Sequence, residues 1–327
     1  MSRIVLVTGA AGEVGRRLVR RLLGGGWRVR ALVLPGDPLR ARLDGLGCEV
    51  VEGDVRDPRP LAAATGGADT VLHLAAVILA PDPSLYETIN RQGTANLVAA
   101  ATAAGVRHFV YVSSASVVYP RLTPYGRSKL EAERVVAAAR GLAHTIVRPT
   151  LVYDENGGQE FMLFRRYLHR FPIVPFIGPG SALKSPVHAD DVVDGLARIA
   201  GNEACFGKTY NLSGPDPISL EDLGKLVLAL EAADRPFIHV PLHLCRAIAW
   251  VLGHLMKAPP ITPYAIAGFT NDAVLNCASA MVDFGYRPRG VRDGLARCLS
   301  PGLRETATAN AAFSVEAIDS IADGRAK

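Results

Sequence analysis

Four consecutive apolar residues, 4–7, run straight into three glycines spaced Gly9-x-x-Gly12-x-x-Gly15, and a helical apolar period follows at Leu18, Leu22 and Leu23. This order constrains the fold more than any other feature of the chain. A short, fully apolar run reads as a buried strand of a parallel sheet. Gly9 permits a tight turn, Gly12 lets backbone approach a pyrophosphate, and Gly15 lets the following helix pack close on the strand. The unpaired N–H groups that open the helix then face phosphate oxygens. Three spaced glycines alone also occur in ordinary turns. Strand before and helix after supply the context that a dinucleotide site requires.

The same alternation continues. Strand candidates lie at 29–34, 49–51, 70–74, 109–113 and 145–147, with helix candidates at 13–23, 38–46, 61–64, 86–104 and 126–140. The pattern predicts an α/β chain built on a Rossmann-type doubly wound parallel sheet with right-handed crossovers. Residues 1–150 read as the dinucleotide-binding core, completed by a returning helix and strand near 186–215. Residues 151–185 and 216–300 read as a smaller, mostly helical substrate lobe, and 301–327 as a loosely held tail. Within the lobe, 161–168 is a helix candidate expected to expose Arg165 and Arg166. Residues 242–256 form the most apolar helix candidate, expected to pack within the lobe rather than on a membrane surface.

Composition excludes several classes. The net charge of +5 is spread over scattered arginines, with no basic run interleaved with aromatics, so nucleic acid is not an expected partner. Five cysteines are odd in number and lack ligand spacing, which points to reduced thiols and no metal. No apolar run approaches the roughly 20 residues that span a bilayer, and strand one begins almost at once, so a cytoplasmic protein without a transmembrane segment is expected.

Ligands on such a sheet lie beyond the carboxyl ends of the strands. Strand two ends in Leu34-Pro35-Gly36-Asp37, with neither a carboxylate for a ribose nor an arginine for a 2′-phosphate at its tip. Asp37 comes late, and Arg40 and Arg42 read as solvated. Glu13 would repel an extra phosphate if it pointed into the loop. NAD is the expected cofactor, with NADP left open. Strand three runs into Gly53-Asp54-Val55-Arg56-Asp57, where Asp54 could accept from an adenine amino group or simply bond its own turn. Strand four ends His73-Leu74-Ala75-Ala76, small residues across which a cofactor can lie, with His73 reading as a packed histidine.

Strand five places Ser113 and Ser114 at a carboxyl end, and Tyr125-Gly-Arg-Ser-Lys129 opens the next helix. Tyr125 and Lys129 are four apart and share a helix face. A tyrosine needs to fall about three pKa units to act as a base near neutrality, about 4 kcal/mol, which a nearby ammonium and an oxidised nicotinamide can supply. The serine hydroxyl would hold a substrate oxygen while the phenol exchanges its proton.

These residues resemble an extended short-chain dehydrogenase/reductase of the NAD-dependent epimerase/dehydratase kind. The likeness rests on Thr8-Gly-Ala-Ala-Gly-Glu-Val-Gly15, Gly53–Asp57, the Ser113-Ser114 strand end and Tyr125-x-x-x-Lys129. Asn90, Arg148-Pro149-Thr150 and Pro186-Val-His-Ala-Asp-Asp191 match in place and order. The resemblance implies Ser114, Tyr125 and Lys129 as the catalytic trio. It further implies Gly9, Gly12, Gly15, Asp54, Val55, Ala75, Tyr125, Lys129 and Pro149 as the cofactor site, and homodimers by analogy.

Three departures limit the carry-over. The stretch between Ser114 and Tyr125 is shorter than usual, which opens the substrate mouth. Ser114-Ala115-Ser116 replaces the carboxyls of sugar dehydratases, which disfavours elimination. Lys184 stands where an arginine typically meets a nucleotide-sugar phosphate and lacks its bidentate fork. The leading implied activity is oxidation and re-reduction of a secondary alcohol on a nucleotide sugar, with Lys184 and Ser113 toward the substrate. A one-way dehydrogenase or reductase of a lipophilic alcohol is the alternative, because Ser-Ser-Ala-Ser-Val-Val resembles the 3β-hydroxysteroid dehydrogenase branch. A non-catalytic, dinucleotide-binding assembly subunit is the third.

Overall fold

Strand and helix alternate through the first half of the computed structural model, which describes residues 3–80, 82–155, 158–256 and 262–299. β1 (Ile4–Thr8) leads through α1 (Glu13–Gly24) to β2 (Arg28–Val33), a 3-10 turn at Pro38–Leu43, and β3 (Glu49–Glu52). Then come α2 (Pro58–Thr65), β4 (Thr70–His73), a π-helical segment Tyr86–Gln92 continuing as α3 (Gly93–Ala103), and β5 (His108–Val112). After a 3-10 turn at Ala115–Val118, α4 (Pro124–Ala137) and β6 (Ala143–Pro149) follow.

The chain next forms β7 (Val152–Tyr153), α5 (Gln159–Arg170), β8 (Val174–Ile177), β9 (Leu183–Lys184) and β10 (Val187–His188). α6 (Ala189–Ile199) and β11 (Lys208–Leu212) then return to the main sheet. β12 (Ile218–Ser219), α7 (Leu220–Leu230), β13 (Phe237–Val240), α8 (Leu242–Leu255), α9 (Pro263–Thr270), α10 (Ala278–Phe284) and α11 (Val291–Leu299) complete the described chain.

The main sheet has seven strands in the order β3-β2-β1-β4-β5-β6-β11, all pairs parallel. This is the doubly wound parallel sheet expected from the sequence. Its order reverses between β1 and β4, where Thr8 lies beside His73, and the ligand crevice of such a sheet opens at that reversal. Val5, Leu6 and Val7 are wholly buried because helices cover both faces. Leu18, Val19 and Leu22 of α1 meet Val192, Leu196 and Ile199 of α6 on one face. Leu61, Leu97, Phe109 and Ala132 fill the other. Asp57 and Thr123 cap α2 and α4, each followed by a proline that needs no N–H partner at the first helical position. A separate core of Phe161, Phe164, Leu168, Phe176, Leu223 and Leu295 holds the lobe together.

The sequence expectations need four local corrections. The helix expected at 38–46 is a 3-10 turn that stops at Leu43, ahead of Gly45 and Gly47, which both take positive φ. The helix expected at 86–104 opens with π winding, where buried Asn90 turns inward. Arg165 is not on an open face: it pairs at 2.5 Å with Glu231, a buried carboxylate that requires a partner. In α8 only Cys245 and Ala249 are buried, because the cluster beneath it is small. The tail expected at 301–327 lies outside the described residues. No helix among the described residues is long and apolar enough to cross a membrane.

Candidate active site

The crevice starts where β1 and β4 end. Ala75 N donates to Thr8 Oγ1 at 3.1 Å, so the Thr8 hydroxyl proton goes to His73 Nδ1, 2.7 Å away. Thr94 donates its own proton to the Asn90 carbonyl and therefore accepts from His73 Nε2 at 3.0 Å. His73 is thus a neutral, fully bonded crosslink, and burial pushes it down to about 3.

The glycine loop wraps this point. Gly9 has φ +67°, and a Cβ there would lie 2.9 Å from Ala75 N. A Cβ on Gly15 would lie 2.1 Å from the Gly9 carbonyl, so α1 can approach β1 only without a side chain. Gly12 caps α1 with no side-chain hydrogen bond, and a Cβ on it would meet only Gly9 O, at 3.3 Å. Open space therefore faces the first N–H groups of α1, the arrangement that takes a pyrophosphate. Glu13 turns to Arg16 and Arg42, at 2.8 and 3.3 Å, and Asp37 caps its turn through Leu39 N. The Glu13 charge is thereby countered by Arg16 of α1 and Arg42 of the 3-10 turn that follows β2.

Asp54 takes up the turn arrangement: Oδ1 accepts from Arg56 N and Oδ2 from Arg56 Nε, both at 2.8 Å. Val55 is buried beneath Gly93, where a Cβ would come within 2.6 Å of its Cγ2. Pro149 closes β6 beside Leu212 of β11.

At the end of β5, Ser114 caps the short turn that follows, accepting from Ser116 N at 3.1 Å. α4 crowds onto this turn: a Cβ on Gly126 would lie 2.8 Å from Ser116 O. Glycine after the tyrosine therefore lets α4 settle on the serine turn, close enough for the Ser114 hydroxyl to act on the Tyr125 phenol. Burial and the charge of Glu160 raise that phenol above its ordinary value. The fall expected from a nearby ammonium is not produced by the chain alone. Lys129 shares the tyrosine's helix face, but its Nζ donates to the Val112 carbonyl at 2.6 Å and stands 4.3 Å over the Tyr111 ring. Burial pushes this ammonium down to about 7. Ser113 Oγ is buried and without a hydrogen-bond partner among the described residues. The orphaned hydroxyl and the open glycine cradle both fit a bound dinucleotide.

Three residues that the sequence reading left without a role shape the same region. Asn90 clamps the loop after β4, accepting from Val77 N at 2.8 Å and donating to Val77 O and Ser128 Oγ at 3.0 Å. Tyr119 ends the serine-rich turn and faces Lys184, whose Nζ is 5.7 Å from the Tyr119 ring. Glu160, on the first turn of α5, acts by charge on Tyr119, Tyr125 and Lys184. Asn90 was visible as a pattern match and Tyr119 by its nearness to the serines. Glu160 carried no signal, because only the lobe's packing brings it here.

Lys184 itself is buried, its Nζ donating to the Asn271 carbonyl at 2.6 Å. Burial pushes it down to about 8, against the pull of Glu160 and Asp272.

A second cluster joins Asp154, His188 and Cys298. His188 Nδ1 accepts from Asp190 N at 3.1 Å, which puts the ring proton on Nε2, facing Cys298 Sγ at 3.4 Å. Asp154 pairs with Arg17. With the ring's outward nitrogen protonated and the carboxylate paired, these groups work as a structural tie rather than as metal ligands.

Comparison with known proteins agrees with this geometry. A family model described as NAD(P)H-binding matches residues 9–166. The chain is 37% identical to a ceramide reductase of Caulobacter vibrioides over 58% of each chain. It is 29% identical to a 3 beta-hydroxysteroid dehydrogenase/Delta 5-->4-isomerase of Mycobacterium tuberculosis, over 90% of this chain and 89% of that one. Among solved structures, it resembles DesIV, the dTDP-glucose 4,6-dehydratase of Streptomyces venezuelae with NAD and TYD bound. There the TM-score is 0.74 at 25% identity, covering 95% of this chain and 98% of the other.

Proposed function

Since this chain belongs to the extended short-chain dehydrogenase/reductase family and is an NAD(P)-binding enzyme, we propose that it is a one-way reductase or dehydrogenase of a lipophilic secondary alcohol or ketone. The observation that carries this reading is the state of Lys184. The cation at the position that would meet a nucleotide-sugar phosphate is buried, bonded to Asn271 O and offset by Glu160. A diphosphate would have to draw Lys184 from that carbonyl and come close to the Glu160 carboxylate, whereas an uncharged ketone meets neither cost. Two relatives named for a ceramide and a hydroxysteroid add support.

In this reading the N–H groups at the start of α1 hold the pyrophosphate, and Lys129 the nicotinamide ribose. When bound, the nicotinamide supplies or accepts the hydride. Ser114 Oγ donates to the substrate oxygen, and Tyr125 hands that oxygen its proton as the carbon is reduced. A raised phenol pKa keeps Tyr125 protonated near neutrality, the form needed for reduction.

The test is loss of reduced-nicotinamide absorbance with a ketosteroid, a long-chain 3-oxo acid, UDP-glucose or dTDP-glucose, using NADH and NADPH in turn. Turnover of a lipophilic ketone with no conversion of either sugar nucleotide is expected. Conversion of a sugar nucleotide with the cofactor returned unchanged would replace this reading with the epimerase one. For its sugar-nucleotide substrate, though not for its reaction, that second reading draws on the likeness to the dTDP-glucose dehydratase DesIV over nearly the whole chain. Dehydration is the least favoured outcome, because the strand end offers Ser114, Ala115 and Ser116 where elimination needs carboxyls.

A further inference from the structure

α8 is apolar on the wrong side. Its inward face is the small stripe of Cys245 and Ala249, with Leu242, Ile248 and Leu252 half-buried beside them. Its outward face shows Leu244 at 47%, Trp250 at 67%, Val251 at 44% and Leu255 at 76% exposure, and Met256 follows at 46%. Scattered exposed apolar residues are ordinary, but a contiguous helical face that includes a tryptophan marks an interaction surface.

Charge indicates what that surface meets. Residues 235–271 contain no aspartate or glutamate, while Arg235, Arg246 and Lys257 lie within them. Arg246 is exposed on α8 itself, beside the exposed imidazoles of His243 and His254. An apolar helical face that carries Arg246 and no acidic residue of its own complements an anionic bilayer surface, where tryptophan prefers the headgroup boundary and arginine meets lipid phosphates. It offers a protein partner little polar complementarity.

The position relative to the cleft gives the contact a purpose. α8 packs on α9, and Asn271, next after α9, accepts from Lys184 at 2.6 Å beside the candidate active site. Phe269 of α9 also packs on Tyr167 of α5, the helix whose first turn carries Glu160. The exposed helix and the substrate side of the cleft therefore belong to one packed unit.

We propose that α8 seats the lobe on an anionic membrane surface, with Trp250, Val251 and Leu255 at the acyl boundary, so that a membrane-dissolved substrate enters beside α9. The purpose assigned to the contact rests on the lipophilic-substrate reading above; the contact itself does not.

The test is sedimentation of the full chain with phosphatidylglycerol vesicles and with phosphatidylcholine vesicles, alongside Trp250 fluorescence in a Trp27→Phe background. The protein should sediment with the anionic vesicles, with a blue shift of Trp250, and bind the zwitterionic ones weakly. The double variant Trp250→Glu, Leu255→Glu should lose on the order of a hundred-fold in partitioning while keeping its cofactor affinity and its turnover of a short, water-soluble ketone. Absence of binding to both vesicle types overturns the proposal. So does a dimer that the double variant dissociates, or a Trp250 emission that shifts red only when residues 300–327 are removed; these outcomes assign the face to a second copy or to the chain's own end. Vesicle binding without turnover of any lipophilic ketone would sink the substrate reading alone. Turnover in detergent without vesicle binding would sink this inference alone.

Discussion

At the scale of single residues, chemistry and packing meet in Tyr125-Gly126. α4 brings the phenol to the serine turn because the next residue has no side chain to strike Ser116 O. Tyr125→Phe should abolish turnover and leave cofactor affinity, read by fluorescence titration, nearly unchanged; preserved turnover would end the proposed mechanism. Gly126→Ala tests the positioning. Its Cβ meets backbone at 2.8 Å, so α4 must shift, and kcat should fall about 10- to 100-fold with little change in cofactor Kd. An unaltered kcat would mean that the fit of α4 on the serine turn does not set the reacting geometry.

At the scale of elements, Arg17 ties α1 to two distant parts of the chain. Its guanidinium meets Asp190 at 2.7 Å at the start of α6 and also pairs with Asp154 after β7. Burial pushes Asp154 up to about 6. A carboxyl raised above its unfolded value adds stability below that unfolded value and loses it as pH rises through about 6, so at neutral pH Asp154 depends on its cation. Arg17→Leu should cost about 3 kcal/mol at neutral pH. The loss in urea unfolding should shrink near about pH 5, where the unpaired carboxyl takes up a proton. An equal loss at both values would show that the pairing with Asp154 is not what stabilises the contact. α1 and α6 are separated by most of the core in sequence, so only the tertiary structure reveals this tie.

For the whole molecule, the sheet's stability carries an acid limit set by two buried imidazoles. Burial pushes His73 down to about 3 and His108 to about 4, from an ordinary 6.5. The unfolded chain binds protons more readily than the folded one across that window. Stability is therefore complete above about 6.5 and is lost as pH falls towards 4 and then 3, by up to about 1.4 kcal/mol per unit for each histidine. His73→Gln should flatten the decline between neutrality and about pH 5 without removing it, because His108 remains. A decline unchanged in the variant would assign it to other groups. Cofactor retention belongs to the same scale: nucleotide released on denaturing fresh protein should be substoichiometric for a one-way reductase, which exchanges its cofactor every cycle. Stoichiometric NAD would favour the epimerase reading.

The doubly wound core was legible because its determinants are local. The apolar run of β1, the glycine spacing and the strand–helix alternation follow from backbone sterics and side-chain period within a few residues. The candidates Ser113, Ser114, Tyr125 and Lys129 were legible for the same reason, since a strand end and one helix turn place them. What the sequence left open depends on groups that meet across long separations. The π winding that turns Asn90 onto Val77, the pairing of Arg165 with buried Glu231, and the bond from Lys184 to Asn271 are all of this kind. So are the approach of Glu160 to the tyrosine and the exposure of α8. The chain's own letters determined the fold and singled out the candidate reacting side chains; the packing of the second half decided the charges set around them and which face of α8 meets solvent. That packing is set by shape and by the pairing of buried charges between distant segments, and neither leaves a period or a spacing in the sequence.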